Sequence, residues 1–245
     1  MSPVDDSIVW AVDIGGRVLK KDTSYWKMVD GELQMVSCGF PGVWGVNIKG
    51  DVVFREGTEE GVNSAGTRWT EVYCSKDLKF KWISCGGIGE VWGISNNDDL
   101  YWREDISGEN PMGSHWIKIE GKFISVGSFN GDLWAITISY KIYNKKHPID
   151  IDDEQGDILI DNGWECPDPE QKMTKIDIGP KGVYGLQIRK SWKNDNGWKI
   201  DERNHSFSEI SVGKQTIWAV DVDHQVCFKE NHEWSCTYNK IFKQV

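Results

Sequence analysis

One short aromatic phrase recurs along the chain, and this repetition limits the folds that the chain can adopt. The stretch GVWGVNIKGDVVFRE at 42–56 returns as EVWGISNNDDLYWRE at 90–104, and weaker copies occur elsewhere. Each copy is anchored by one aromatic side chain. The six anchors are Trp10, Trp44, Trp92, Trp134, Tyr184 and Trp218. Because the copies follow one another at intervals of roughly forty residues, the pattern indicates a propeller or a solenoid.

Two further signals accompany the anchors. Five anchors are preceded by a phrase that ends in glycine, such as LQMVSCG or FKWISCG. A second aromatic residue follows each anchor, and this set comprises Trp26, Trp69, Trp116, Trp164, Trp198 and Trp234. Apolar and polar residues alternate with a period of two, which is typical of half-buried strands. Each unit therefore predicts four strands, and the whole chain is expected to be all-β.

The two ends of the chain complement each other. The first unit begins directly with IVWAV and lacks the strand that precedes the other anchors, whereas the chain finishes with IFKQV, in which Val245 matches Val36. A solenoid has no need of this arrangement, but a ring does. We therefore predict one domain, residues 1–245, that forms a six-bladed β-propeller of four-stranded antiparallel blades. The C-terminal strand is expected to join the N-terminal blade and to remove the open sheet edges.

A basic residue follows most anchors at a fixed distance. It stands eleven positions after five of them, and this set comprises Lys21, Arg55, Arg103, Lys145 and Lys229. If the hairpin strands pair across a four-residue loop, Asn47 faces Val52 and Trp44 faces Arg55. A guanidinium over an indole then contributes about 0.5–2 kcal/mol. The third residue after each anchor is polar, and this set comprises Asp13, Asn47, Ser95, Thr137, Gln187 and Asp221.

These residues have two interpretations. The aromatic and basic side chains can clamp each hairpin without any ligand, or they can form repeated pockets in which flat rings stack on sugars and polar groups bind hydroxyls. On the second interpretation the carbohydrate-binding residues are Trp10, Asp13, Lys21, Trp44, Asn47, Arg55, Trp92, Ser95, Arg103, Trp134, Lys145, Trp218, Asp221 and Lys229. A ring with several weak sites gains avidity on a glycan-covered surface, by roughly 10²–10⁴.

The succession of VSxG, VWGV and a glycine-containing turn that leads to arginine resembles the tectonin repeat, also described as tachylectin-1-like or fish-egg-lectin-like. The resemblance extends over nearly the whole chain and is clearest in units 1, 2, 3 and 6. It implies a six-bladed propeller lectin with glycan sites between blades, and some fungal relatives bind O-methylated sugars of foreign organisms. Unit 4 lacks the glycine after its hairpin, and unit 5 has Tyr184 and Asp195 in place of the tryptophan and the base. The resemblance thus predicts a multivalent defensive lectin.

Charge and hydropathy exclude several partners. The formal net charge is −10, which disfavours nucleic acid and anionic membranes. The sequence has no apolar run that is long enough to cross a bilayer, so membrane insertion is not expected. MSPVDDSIVW lacks the basic and apolar regions of a signal peptide, which favours a cytoplasmic location or export by a non-classical route. The expected partners are cell-surface or microbial glycans, and the oligomeric state is left open.

Neither a catalytic centre nor a cofactor or metal site is predicted. The six cysteines include no CxxC pair, and their irregular spacing favours reduced, buried thiols over a disulfide framework. The acidic run IDIDDEQGD at 149–157 does not match a calcium loop and is interpreted as a solvated loop. The histidines occur in dissimilar contexts, so an enzyme is not expected. The alternative function is a propeller scaffold that binds a protein or lipid partner and uses the same tryptophans only as core.

Overall fold

The computed structural model is all-β over the residues that it describes. These residues are 9–22, 25–59, 65–87, 89–146, 163–187, 192–194, 197–199, 206–214, 216–230, 233–236 and 242–244. The acidic run at 149–157, the base position Asp195 of unit 5 and the last residue, Val245, lie outside them. Over the described part of the chain, no helix has the length and apolar character that are needed to cross a membrane.

The strands form antiparallel units in chain order. We call the strand positions of a unit, taken in chain order, inner, second, third and outer. Unit 1 contains β21 (Phe242–Gln244), β1 (Trp10–Asp13), β2 (Arg17–Lys21) and the first part of β3 (Trp26–Gly39). Unit 2 contains the rest of β3, β4 (Gly42–Asn47), β5 (Val52–Arg55) and β6 (Trp69–Glu71). Unit 3 contains β7 (Phe80–Cys85), β8 (Val91–Ser95), β9 (Asp99–Arg103) and the first part of β10 (Trp116–Phe129).

The later units follow the same plan. Unit 4 contains the rest of β10, β11 (Asp132–Thr137) and β12 (Ile142–Lys146), and an isolated bridge joins Asn144 to Glu165 at its outer edge. Unit 5 contains β13 (Met173–Gly179) paired with β14 (Gly182–Gln187), and β15 (Trp192–Asn194) paired with β16 (Gly197–Lys199). Among the described residues, no pairing joins β14 to β15. Unit 6 contains β17 (Phe207–Val212), β18 (Ile217–Asp221), β19 (Val226–Glu230) and β20 (Glu233–Cys236). The predicted all-β architecture is therefore confirmed.

The hairpin between the second and third strands has a different register from the predicted one. Val46 pairs with Val52, so that Trp44 faces Phe54 and Val43 faces Arg55. The prediction that Trp44 faces Arg55 is wrong by one residue. The loop has three residues, because the backbone N–H of Asn47 donates to the carbonyl of Asp51 at 2.9 Å. A type I turn followed by a left-handed residue gives this three-residue loop, and Gly50 supplies the left-handed residue with a φ of 82°.

In the five hairpin turns that the structure describes, the left-handed residue also binds the next unit. Its carbonyl accepts a hydrogen bond from the first residue of the following inner strand. These pairs are Leu33 N–H to Gly16 O, Phe80 to Gly50, Phe123 to Asp98, Met173 to Tyr140 and Phe242 to His224, at 2.7–3.0 Å. The last pair connects unit 6 to β21, and β21 pairs in turn with β1 of unit 1. The C-terminal strand therefore occupies, between units 6 and 1, the position that an inner strand occupies at the other described junctions.

Close approach of the neighbouring unit explains the glycine at the end of the inner strands. A Cβ added to Gly39 would lie 2.7 Å from the carbonyl oxygen of Gly86, and one added to Gly179 would lie 2.7 Å from that of Val212. A Cβ on Gly86 would overlap Ser128 in the same manner. These contacts all reach the inner strand of the next unit. The repeated glycine thus marks where successive inner strands converge.

The anchors lie in apolar clusters that each span two neighbouring units. Trp10 packs with residues of unit 2, Trp44 with residues of unit 3 and Trp92 with residues of unit 4. Tyr184 packs with Ile210 of unit 6, and Trp218 packs with Val9 and Phe242 of unit 1. The core is therefore divided among the junctions rather than concentrated within the units.

One disulfide contradicts the expectation of reduced cysteines. Cys227 and Cys236 are bonded, and their Cα atoms are 4.0 Å apart. They lie directly opposite each other on β19 and β20, which brings the two side chains together. Cys38, Cys74, Cys85 and Cys166 form no disulfide. Because the pair occurs in one unit alone, the repeat pattern gave no indication of it.

Candidate functional site

Several of the predicted sugar-stacking rings lie inside the core. Trp10, Trp44 and Trp92 are 2%, 0% and 0% exposed, and Trp218 is 7% exposed. Trp134 is half-buried. A sugar can stack only on a ring face that solvent reaches, so the first three anchors offer no platform in this conformation. Each of these three side chains instead fills the apolar core at one junction, between units 1 and 2, 2 and 3, or 3 and 4.

The polar residues three positions after the anchors act on their own hairpin turns. Oδ1 of Asp13 accepts from the backbone N–H groups of Gly15 and Arg17, both at 2.9 Å. Asn47, Ser95 and Asp221 cap their turns in the same way. Thr137 contacts Ser139 Oγ at 2.9 Å within its own turn. These caps satisfy turn N–H groups and so stabilise the hairpins.

The basic residues lie beside the outer-strand tryptophans. Arg55 faces Trp69, Arg103 faces Trp116 and Lys229 faces Trp234 across neighbouring strands. The three cations lie 5.4, 5.3 and 5.6 Å from the ring centroids, within the range of cation–π attraction. Lys21 faces Trp26 across the strands, and its Nζ lies 5.6 Å from the ring of Trp218 in the neighbouring unit. In unit 4, the bridge from Asn144 to Glu165 brings Trp164 to the strand beside Lys145.

At the junction of units 1 and 2 these residues form a cluster with mixed chemistry. Arg55 is 3% exposed, and its Nε donates to the carbonyl of Ala65 at 2.8 Å. One Nη lies 2.8 Å from Oδ1 of Asp30, whose carboxyl is largely exposed, and this hydrogen bond lowers the pKa of Asp30. The indole N–H of Trp69 donates to the Asp30 carbonyl at 2.7 Å. The ring of Trp69 packs edge-on against the buried Trp10.

At the junction of units 2 and 3, a buried arginine again lies beside an outer-strand tryptophan, and an exposed tyrosine is nearby in the chain. Arg103 is 3% exposed and donates to the carbonyls of Met112, Gly113 and Tyr73 at 2.8, 3.2 and 3.4 Å. Trp116 lies under the guanidinium and is half-buried. The side chain of Tyr73 is 80% exposed. We call these two sites the junction grooves.

A junction groove combines an aromatic face, a fixed cation and polar edges, which are the groups that bind sugar hydroxyls and C–H faces. The structure thus brings Arg55 and Arg103 to a shared kind of site, but with Trp69 and Trp116 rather than with Trp44 and Trp92. Sequence reasoning did not assign Asp30, Tyr73 or the outer-strand tryptophans to the site. The recurring second aromatic residue was the available signal for the tryptophans, since it follows every anchor.

Two groups of side chains in the described residues bring several potential metal ligands together. Glu104, Asp105 and His115 lie near one another on the surface, and Asp221 lies near the sulfurs of Cys227 and Cys236. The second group is bonded as a disulfide, and a metal requires thiolates. The first group is an exposed acidic cluster, and its geometry gives no sign of a ligand.

A cavity of about 100 Å³ runs between the inner strands. Its wall includes Ser37, Ser84, Asp177 and Ser211, which occupy the same position in their units. These side chains connect adjacent inner strands. Ser37 Oγ accepts from the N–H of Cys85 at 3.0 Å, and Asp177 Oδ2 accepts from the N–H of Val212 at 2.7 Å. Burial raises the pKa of Asp177 to about 6.

We expect Asp177 to weaken the fold as pH rises. A folded-state pKa above the unfolded one favours the protonated form, so the stabilisation is present below about pH 4 and is lost as pH passes through about 6. Asp177→Ser restores the hydroxyl of the other units and removes this titration. As pH rises from about 4 to about 7.5, the free energy of unfolding of the variant should increase relative to that of the wild type by about 2–3 kcal/mol, as measured by urea unfolding. An equal pH dependence in both proteins would contradict this assignment.

Comparisons with known proteins agree with this architecture. The family model of the tectonin domain matches residues 5–138. The fish-egg lectin of Cyprinus carpio is 24% identical over 122 residues, which are 48% of this chain and 49% of the lectin. The match therefore spans about half the length of that relative.

Solved structures support the fold alone. PorZ, a surface component of the type-IX secretion system of Porphyromonas gingivalis, has a TM-score of 0.59 at 11% identity, covering 96% of this chain and 32% of that one. YCF48 from Cyanidioschyzon merolae has a TM-score of 0.54 at 12% identity, covering 97% and 83%. Yeast RCC1 (Prp20), bound to Kap60, has a TM-score of 0.56 at 9% identity, covering 89% and 67%. The chain thus has a propeller-like all-β fold.

Proposed function

The chain belongs to the tectonin family, and from that premise we propose that it is a lectin that binds cell-surface glycans through several junction grooves at once. Microbial and O-methylated sugars are the proposed ligands, and innate defence is the proposed role. The similarity to a carp fish-egg lectin supports carbohydrate binding over a catalytic role.

The proposed scaffold is a closed six-bladed propeller. Its support is the hydrogen bond that connects the five described hairpin turns to the next inner strand, including the bond between His224 of unit 6 and Phe242 of β21. The cluster that contains Trp218, Val9 and Phe242 adds an apolar junction between the two ends of the chain. A rigid ring holds its grooves at fixed separations, so that several weak contacts with one surface act together.

The observation that carries the lectin proposal is the repeated pairing of a cation with a half-buried outer-strand tryptophan at the junctions. A purely structural clamp needs neither an exposed carboxylate nor an exposed ring beside it. Asp30 provides the exposed carboxylate beside Arg55, and the residue whose carbonyl accepts from Arg103, Tyr73, carries an exposed ring. This combination of directional polar groups and a flat apolar ring suits a monosaccharide or a short glycan.

A glycan array that carries both plain and O-methylated sugars tests the proposal. We expect the protein to bind at least one glycan on the array. When that glycan is titrated as a monovalent ligand by calorimetry, the change Tyr73→Ser should remove binding at the groove between units 2 and 3. Stability should change by less than about 0.5 kcal/mol, because the ring of Tyr73 is largely exposed. Ile48→Ser, at an exposed hairpin turn, is the matched control and should leave monovalent binding unchanged.

The absence of binding to every glycan at high density would contradict a lectin. The alternative is a propeller that binds a protein or lipid, and the burial of Trp10, Trp44 and Trp92 favours it. Tryptophan fluorescence separates the two functions, because an added sugar should alter the emission or the iodide quenching of half-buried Trp69 and Trp116 only if it occupies the grooves.

A further inference from the structure

The cavity between the inner strands, which we call the inner cavity, is crossed at one level by a lysine of the chain itself. Nζ of Lys175 lies 2.7 Å from Oε1 of Glu209 and 4.1 Å from the ring centroid of Trp82. These residues belong to units 5, 6 and 3, and Glu209 and Trp82 are part of the cavity wall. A carboxylate and an aromatic ring both attract an ammonium group. The inner strands therefore already bind one ammonium between separate units.

A layer of oxygen atoms lies two residues further along the inner strands. Its members pair with the anchors of their units and belong to the cavity wall. In units 2, 3, 5 and 6 they are Ser37, Ser84, Asp177 and Ser211. Ser128, one residue beyond the layer in unit 4, is also in the wall and is 4% exposed, and its hydroxyl has no hydrogen-bond partner among the described residues. The wall thus offers several hydroxyl groups beside one carboxylate.

The carboxylate of Asp177 lacks a counter-ion among the described residues. Its Oδ2 accepts from the N–H of Val212 at 2.7 Å. Burial raises its pKa to about 6, and hydrogen bonds from the backbone and from Ser211 oppose this rise without any contribution from a cation. Above that pH the cavity wall therefore carries a negative charge that is hydrogen-bonded but unpaired. Such a charge is costly to bury, and a bound cation would remove part of that cost.

The other titratable groups of the wall do not balance this charge. The carboxyl of Glu209 is already paired with a lysine. Lys214 is exposed to solvent at the end of the cavity where Pro180 is also exposed, so its charge is screened and the cavity has an opening there. Burial raises the pKa of Cys38 to about 11 and that of Cys85 well above its usual value, so both thiols are neutral near pH 7. A cation that enters from the open end would therefore meet a net negative wall.

We propose that the inner cavity binds a small organic ammonium ion whose nitrogen lies against Asp177. A primary ammonium has three N–H donors, which suits one carboxylate with hydroxyl groups around it. Aliphatic residues of the wall directly precede the oxygen layer and can contact a short alkyl chain, and they are Val36, Ile83, Val126, Ile176 and Ile210. Since the cavity measures about 100 Å³, the ligand has only a few heavy atoms. An alkali cation would reach the same oxygen atoms but would leave the aliphatic wall uncovered.

Isothermal titration calorimetry of the full chain with propylammonium chloride, in phosphate buffer near pH 7.5, tests the proposal. We expect one saturable site and at least about tenfold weaker binding of 1-propanol, because the alcohol has no charge to place beside Asp177. The change Asp177→Ser introduces the serine of units 2, 3 and 6 and should weaken propylammonium binding by at least about tenfold. The matched control is Asp223→Ser, which removes an exposed carboxylate from a turn and should leave the affinity unaltered.

The pH dependence of binding gives a second measurement, which stands even if the Asp177→Ser variant does not fold. Propylammonium stays protonated, whereas Asp177 loses its charge as pH falls through about 6, so the association constant should fall about tenfold between about pH 7 and pH 5. The absence of saturable binding, equal affinities for propylammonium and 1-propanol, or unchanged binding by a folded Asp177→Ser variant would overturn the proposal. Suppression of the binding by potassium chloride at the same concentration would also overturn it and would assign the site to an alkali cation.

Discussion

Removal of the last five residues, IFKQV, is expected to unfold the whole molecule rather than to fray one end. The deletion takes away Phe242, which is 0% exposed and whose ring centroid lies 5.1 Å from that of Trp26. It also removes the strand that pairs with β1 and the bond from Phe242 N–H to His224 O. Since a domain is stable by only about 5–15 kcal/mol, the loss of a strand and a large core side chain exceeds or nearly exhausts that margin.

Point substitutions make the same test quantitative. Phe242→Ala should lower the free energy of unfolding by about 3–5 kcal/mol, whereas Phe242→Leu keeps most of the apolar volume and should lower it by less than about 1.5 kcal/mol. Thermal and urea unfolding, followed by near- and far-UV circular dichroism, measure both. A truncated chain that melts at the wild-type temperature would show that β21 does not connect units 6 and 1, and the proposed ring would have to be abandoned.

Gly86→Ala is the second change with a large expected effect. The added methyl group would overlap the Oγ and the carbonyl oxygen of Ser128 on the next inner strand, where backbone cannot move aside cheaply. We expect a loss of at least about 3 kcal/mol in the free energy of unfolding, at the upper end of overpacking effects. Urea denaturation of the purified variant gives this value directly.

Gly15→Ala is the control for that experiment. Its added Cβ would lie 3.3 Å from Oδ1 of Asp13 on an exposed turn, so the expected change is below about 1 kcal/mol. Equal effects at Gly15 and Gly86 would mean that the terminal glycine of the inner strand is not required by the convergence of the strands. The steric explanation for the VSxG phrase would then fail.

The order of the strands could be predicted from the sequence because several independent signals repeat together. The anchors, the glycine that ends each inner strand and the outer-strand tryptophans all recur, and no single degenerate unit hides the pattern. The register of the hairpins could not be fixed in this way. A stretch such as Asn47–Val52 is compatible with a three-residue or a four-residue loop, and a difference of one residue moves Arg55 from Trp44 to Val43 on β4. The aromatic residue opposite Arg55 is Trp69, on the other neighbouring strand.

The candidate site was predicted in part for a related reason. Asp, Asn, Ser and Thr bind sugar hydroxyls with the same atoms that cap a turn, so composition alone does not separate Asp13 as a ligand from Asp13 as a cap. Arg55 and Arg103 contact groups of the preceding unit, whereas the aromatic residues that face them depend on strand pairing. Tyr73 belongs to the connection after β6, and Asp30 lies in the first part of the long strand β3. No repeat signal points to either residue.

The two longest strands have a mechanical consequence. β3 pairs with unit 1 through its first residues and with unit 2 through its last ones, and β10 connects units 3 and 4 in the same way. Hinge-like opening between the members of either pair would have to bend a continuous hydrogen-bonded strand. Units that are joined by a loop, such as units 2 and 3, lack this restraint. Tyr73 and Arg103 lie at that seam, so the hydrogen bond between them joins two units that no continuous strand holds together.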